Sequence, residues 1–316
     1  MCSSDLTSSS IGATAGEIIL LTSTDLWNPT HAYYYKGELA EVYSVSSTTY
    51  SVSNPLFDGY TAATTTAYRL AMPTIEVEGL EIVMDANQTA LSVRYSRNPT
   101  VRNCKVHGAR YTNIILWYCM GGNVEDNECY DAWYTGTSTS YNVSIASCQG
   151  TIVKENTLSQ ARHNIASGGQ EPCRNLLYIG NFCKVHPSQA DTLSLDMHGN
   201  TELSSIVSNV CEGISVAGIN LNIKGNIVTG NVASKFLLNI FQEINSDYYV
   251  IEGNVLTSTA SASEGFWLSP DQSSLSIGTL TISGNVISAD QYAIAIQPRS
   301  SSATGCSIGD LIVTGN

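Results

Sequence analysis

Ile223-Lys224-Gly225-Asn226, Ile251-Glu252-Gly253-Asn254 and Ile282-Ser283-Gly284-Asn285 are one phrase written three times: an aliphatic residue, two small or polar residues, then asparagine. Upstream it recurs as Val124-Glu125-Asp126-Asn127, Val153-Lys154-Glu155-Asn156, Tyr178-Ile179-Gly180-Asn181 and Ile206-Val207-Ser208-Asn209. Val101-Arg102-Asn103 is a looser copy before these, and Val313-Thr314-Gly315-Asn316 follows them. Successive asparagines stand 24, 29, 25, 28, 17, 28, 31 and 31 residues apart. Such periods mark a stack of supersecondary units, and the 17 fits a unit stripped of its loop. Asparagine at a tight turn tolerates the left-handed conformation and can hydrogen-bond nearby backbone. Stacked at the strand spacing of about 4.8 Å, asparagine side chains can also bond one another as a ladder.

Two residues after each asparagine stands a hydrophobe: Cys129, Leu158, Cys183, Cys211, Val228, Leu256 and Ile287. Strand alternation turns that position inward, where cysteine is a small apolar filler. The cysteines therefore read as core residues, and without a Cys-x-x-Cys pair zinc is not indicated. Each unit also carries a second alternating run, such as Asn142-Val143-Ser144-Ile145, Thr192-Leu193-Ser194-Leu195, Gly213-Ile214-Ser215-Val216 and Gly265-Phe266-Trp267-Leu268. Alternation between turn residues is strand patterning. The fold class is all-β, a single solenoid of parallel strands over residues 77–316.

Before that, 16–76 reads as an N-terminal cap covering the exposed solenoid end. Tyr35 to Val42 and Thr49 to Val52 flank Ser46-Ser47-Thr48 as a hairpin, followed by a loop from Pro55 to Gly59 and a return strand near Tyr68. Residues 1–15 share no pattern with the rest and read as a disordered or scar-like leader. Asn316 interrupts the phrase, so the solenoid is expected to continue beyond it as a truncated array.

Composition narrows the function. Charged residues are 13% of the chain, and 27 acidic against 14 basic side chains give a net charge of −13. A general nucleic-acid binder needs a basic footprint, so that class is set aside. No apolar run approaches the roughly 20 residues that span a bilayer, and Ile18-Ile19-Leu20-Leu21 is too short for a signal core.

Chemistry-bearing residues concentrate on two units near mid-chain. One carries Arg162 and His163, the next Asp196 and His198. With Leu193, Leu195 and Met197 inward, Asp196 and His198 share the outer face, about 7 Å apart along the strand. Histidine can act as acid or base near neutral pH, and Arg162 can neutralise a carboxylate. Glycoside hydrolysis instead requires two carboxylates, and Asp196 has Asp191, Glu171 or Glu212 as candidate partners. Arg162, His163, Asp196 and His198 are thus the candidate catalytic residues. The alternative for this set is a rigid surface network without catalysis. Trp117, Tyr118, Trp133, Tyr134 and Tyr141 precede the set and offer ring faces for sugars, so a groove from Trp117 to His198 is expected. Lys184 and His186 are further candidates for substrate binding. No metal or cofactor is required by any motif, with calcium left open.

The Gly-Asn turns over roughly residues 75–316 resemble the pectate-lyase-like right-handed parallel β-helix superfamily, which includes phage tailspikes and polysaccharide lyases, hydrolases and epimerases. Lys36-Gly37-Glu38 to Tyr60 resembles the strand pair leading into phage-borne members. The resemblance implies right-handed winding, a polysaccharide partner, a depolymerase activity of lyase or hydrolase type, an extracellular or virion-associated location and a homotrimer. Asp196-Met197-His198 is similar to the Asp-Pro-His motif of β-helix mannuronan C5-epimerases, with Met197 in place of proline. A non-catalytic receptor-binding or structural β-helix is the reading outside enzymology.

Overall fold

The computed structural model describes residues 5–7, 11–132, 140–186, 193–230, 236–258, 262–297 and 304–316. Among them every regular element is a strand, and the body is a right-handed parallel β-solenoid. Each coil visits three sheets in turn. Sheet I runs over ten strands from Glu76–Glu78 to Ser307–Thr314. Sheet II runs over nine from Glu81–Ala86 to Val286–Ser288. Sheet III runs over nine from Thr89–Arg94 to Tyr292–Ile296. Register follows the repeat: Cys129, Leu158, Cys183, Cys211, Val228, Leu256 and Ile287 pair successively as one inner column of sheet II.

The repeated asparagines form the corner between sheets I and II. From Asn127 through Asn156, Asn181, Asn209, Asn226, Asn254 and Asn285 to Asn316, each Nδ2 donates to the next Oδ1 at 2.9–3.0 Å. The short spacing from Asn209 to Asn226 keeps this geometry, so it is a complete coil without an excursion. Two details differ from the sequence reading. The left-handed residue is the one before each asparagine, as at Asp126, Glu155, Gly180, Ser208 and Gly225. The looser copy is also offset by one: Asn103 takes the left-handed position, and the Cys104 amide donates to Asn127 Oδ1. A second ladder, unforeseen, joins Asn113, Asn142 and Asn164 at 2.8 and 2.7 Å beside sheet III.

Cys104, Cys119, Cys129, Cys148, Cys173, Cys183 and Cys211 are free and buried. Cys119, Cys148 and Cys173 belong to a further column, where the Cys119 amide lies 3.3 Å from Cys148 Sγ. Burial pushes the thiols of Cys129, Cys183 and Cys211 up, which suits packing rather than nucleophilic chemistry.

The hairpin forms as Tyr35–Ser46 and Thr49–Val52, with Thr65–Leu70 returning against Ile18–Leu26. Asp5–Thr7 pairs antiparallel with Thr49–Ser51, and Ile11 and Ala13 enter the cap core. Cap and solenoid are joined through Arg174, whose fully buried side chain bonds the Gly37 carbonyl at 2.9 Å, Asp58 at 2.6 Å, and Glu202. Removing one member of such a buried ionic set costs about 3–5 kcal/mol, because the remaining charges lose their partner.

Asn181→Ala strands the Val153 carbonyl, the Asn156 side chain and a bond to Asn209 at once. With about 1–3 kcal/mol per stranded buried group, equilibrium urea unfolding should show a loss of at least about 3 kcal/mol. A loss under about 1 kcal/mol would remove the ladder as the main structural tie.

Candidate functional site

Sheet III alternates inward aliphatics with an outward row that reads Ser144, Ala166, Asp196, Ser215, Asn239 and Trp267 across successive coils. Asp196 thus faces outward as expected, yet is largely covered. Its Oδ2 lies 2.7 Å from His198 Nε2 and 3.6 Å from His163 Nε2. His163 is buried. Its Nδ1 sits 2.5 Å from the Leu193 carbonyl, and that contact fixes the ring tautomer. The Tyr141 ring stacks on His163 at 5.8 Å, and Arg162 bonds the Tyr141 hydroxyl. His198, 35% exposed, is the open edge of the cluster.

Two glycines make the room. A Cβ on Gly168 would stand 3.0 Å from His198 Nδ1, and one on Gly199 would collide with Glu243 Oε2. Glu243, next after the strand Phe236–Gln242, brings in the N-terminal segment: His31 Nε2 lies 2.8 Å from its Oε2. His31 and Tyr34 rings stand 5.3 Å apart, in a loop closed by the Trp27 amide on the Tyr34 carbonyl and fastened by the Tyr35 amide on the Gln170 carbonyl.

Charge is distributed unevenly. Burial opposes ionisation of Asp196, but the fields of His198 and then His163 outweigh it and hold the carboxyl at about 2. Burial also works against a charged His198, and the Asp196 carboxylate overcomes it, so the imidazole pKa is raised. For His163 burial dominates and lowers the pKa. Glu243 is raised by burial, against the opposing pull of His31. The cluster thus pairs an ionised Asp196 with a His198 shifted towards its charged form, beside a His163 shifted down and a Glu243 shifted up.

Not every candidate joins it. Lys184 is exposed on sheet II, paired with Ser159, so it faces away from the Asp196 row; His186 follows that strand. Tyr118 lies at the cap junction, its hydroxyl donating to Glu171 at 2.7 Å. Glu171 also bonds Ser147, and Glu212 accepts from the Val185 amide, so neither pairs with Asp196. Trp117 holds Arg94 over its ring at 4.6 Å. Between Trp117 and His198 lie Ala146, Ala166 and Gly168, all buried. Trp133, Tyr134 and Asp191 lie outside the described residues. The sequence reading missed His31, Tyr34 and Glu243. Only the aromatic run His31-Ala32-Tyr33-Tyr34-Tyr35 hinted at them. Among the described residues no group of three or more His, Cys, Asp or Glu side chains is placed to hold a metal ion. No helix there is long and apolar enough to cross a membrane.

His198 stabilises the fold fully below its ordinary 6.5 and loses that contribution as pH rises through its raised value. Asp196 contributes fully above 3.8 and loses that contribution as pH falls through about 2. An NMR titration should place the His198 midpoint above 6.5. In Asp196→Asn the midpoint should drop below that value, since burial then acts without its counterweight. A wild-type midpoint at or below 6.5 would contradict the pairing.

The family description "right handed beta helix region" matches residues 67–181. No curated protein matches the chain by sequence. Among solved structures, the tailspike protein gp49 from Pseudomonas phage LKA1 is similar at TM-score 0.76 and 16% identity, over 99% of this chain and 62% of that one. The tailspike gp61 of Pseudomonas phage phi297 gives 0.75 and 18%, over 99% and 60%. The Gp54 tailspike of Acinetobacter baumannii bacteriophage AP22, solved with A. baumannii capsular saccharide, gives 0.71 and 18%, over 99% and 57%. This chain therefore spans about three fifths of the length of the tailspikes it matches. With three stacked parallel sheets and a ladder of asparagine corners, the chain is a right-handed parallel β-helix.

Proposed function

We propose that the chain is the β-helical part of a polysaccharide depolymerase, of tailspike type and virion-borne or extracellular, and that it cleaves by glycoside hydrolysis. One arrangement carries the choice of chemistry: two carboxyls flank His198, with Asp196 bonded to it at 2.7 Å and Glu243 packed against the adjoining Gly199, and burial raises the Glu243 pKa whereas Asp196, despite its burial, is lowered by His198. A glycosidase needs such a division, one carboxyl keeping its proton for the leaving oxygen and one staying anionic. Glu243 is the acid in this reading. Asp196 is the anion, kept ionised by His198, and Arg162 with Tyr141 shapes the sugar face. The glycan-bound AP22 tailspike, similar in fold, supports a polysaccharide partner. The burial of Asp196 and His163 favours a second reading, a binding β-helix with a rigid polar network.

The assembly belonging to this proposal is a homotrimer. Phe182, Val210, Ile227, Val255 and Val286 form an exposed apolar column on sheet II, in register across five coils. Unbroken exposed apolar strips mark contact surfaces.

Incubation with neutral and acidic bacterial polysaccharides should release reducing ends without the ultraviolet absorbance of unsaturated uronates. Glu243→Gln and Asp196→Asn should each lower turnover by about 10²-fold or more. Unsaturated ends would replace hydrolysis with elimination. Altered uronate composition at constant length would indicate epimerisation, and intact polymer that still binds would favour the non-catalytic reading. Sedimentation should give three times the chain mass of 33.8 kDa, and a monomer with an unchanged melting profile would refute the trimer.

A further inference from the structure

A cavity of about 670 Å³ separates the N-terminal hairpin from the corner at which sheet III passes into sheet I. Its solenoid wall is built from one position repeated on four coils: Asn98, Gly121, Gly150 and Asn175. The Asn98 amide donates to the Met120 carbonyl, Gly121 to Gln149 and Gly150 to Arg174, at 2.7–2.8 Å, so these coils stack in register. All four wall residues have positive φ, between 49° and 73°. The two central ones carry no side chain, and the Asn98 carboxamide folds over Gly121, which leaves Gly150 as bare peptide on the floor. The outer two are exposed asparagines whose backbones stand three coil spacings apart, about 14 Å.

The opposite wall belongs to the hairpin and is rigid. Gln149, with its amide oriented to satisfy both bonds, donates to the Leu39 carbonyl at 2.8 Å and accepts from the Leu39 amide at 3.3 Å. Phe57 is 40% exposed, and the buried Arg174 guanidinium lies 4.8 Å from its ring centre. Glu38 is occupied by the Phe57 and Asp58 amides and the Tyr60 hydroxyl. Glu41 pairs with Arg97 at 2.9 Å. The charged side chains around the cavity therefore already have partners.

We infer that this cavity is a second carbohydrate site, separate from the Asp196 cluster, for a short stretch of neutral or N-acetylated sugar. Carboxamides present a donor and an acceptor to neighbouring hydroxyls. The open peptide at Gly150 admits a ring closely, and the exposed Phe57 edge offers an apolar face. Glu38 and Glu41 against Arg97, in a chain of net charge −13, disfavour phosphate or uronate. The volume falls in the range of small-ligand pockets.

The test is ligand-observed NMR and calorimetry on the full chain with maltose, lactose, N,N′-diacetylchitobiose and digalacturonate at millimolar concentration. At least one neutral or N-acetylated disaccharide should bind. The double variant Asn98→Gly/Asn175→Gly, which keeps the left-handed backbone while deleting both carboxamides, should raise its dissociation constant at least about tenfold at an unchanged melting temperature. His198→Ala and Glu243→Gln should leave that binding intact, which separates this site from the proposed hydrolytic one. Phe57→Leu gives an independent reading should the double variant melt early, and it too should weaken the sugar. The inference is overturned if none of the three neutral sugars binds, if digalacturonate binds more tightly, or if His198→Ala alone abolishes binding.

Discussion

The side-chain amide of asparagine is the constraint from which the rest of the molecule follows. At Asn181, Oδ1 accepts from both the Asn156 amide and the Asn156 side chain, while Nδ2 donates to Asn209 and to the Val153 carbonyl. Both oxygen lone pairs and both N–H groups are used, without water. Aspartate would lose the donors, and serine would be too short to span the coils. A buried amide network satisfied this completely is rigid as well as stable. It fixes each coil at one strand spacing from the next, so residues some 25–30 apart in sequence become lateral neighbours.

Lateral neighbourhood is what makes the Asp196 cluster. The second ladder, Asn113 to Asn142 to Asn164, ends with Asn164 Nδ2 unpartnered. On the following coil the Asn164 amide turns to the Ser194 carbonyl instead, at 2.7 Å. The regular corner is interrupted there, one coil before Asp196, where His163 can reach the Leu193 carbonyl. Local irregularity in an otherwise repetitive array is where a side chain can be aimed at something other than its own repeat.

The repeat was legible because the ladder demands one residue type at one place. The inner column, the hairpin and the shared outer face of Asp196 and His198 could be read from alternation alone, but not the contact between the two side chains. The second ladder was hidden, since Asn113, Asn142 and Asn164 sit in dissimilar local text. Trp117 and Tyr118 were placed by composition, which cannot tell a ring facing a ligand from one lying near Arg94 or bonded to Glu171. His31, Tyr34 and Glu243 were illegible for a stronger reason. Glu243 follows its strand outside the repeat phrase, and His31 and Tyr34 reach Glu243 and Gly199 only through packing of the cap on the solenoid, which no periodicity encodes.

That packing has a consequence for the order of assembly. The contacts that bring the loop of His31 and Tyr34 to Glu243 run through the Gln170 carbonyl, Gly37 and Arg174, between segments more than 130 residues apart. Gly37 lies so close to Glu171 that any side chain there would collide with it. Arg174, without solvent contact, must bond Asp58 and Glu202 before it can be buried at tolerable cost. Coils of a solenoid can form by nearest-neighbour addition, but this junction cannot form until the cap and the coils around residues 170–202 both exist. The Asp196–His198 pair therefore belongs to the solenoid alone, whereas the Glu243 half of the site is completed only by docking of the cap.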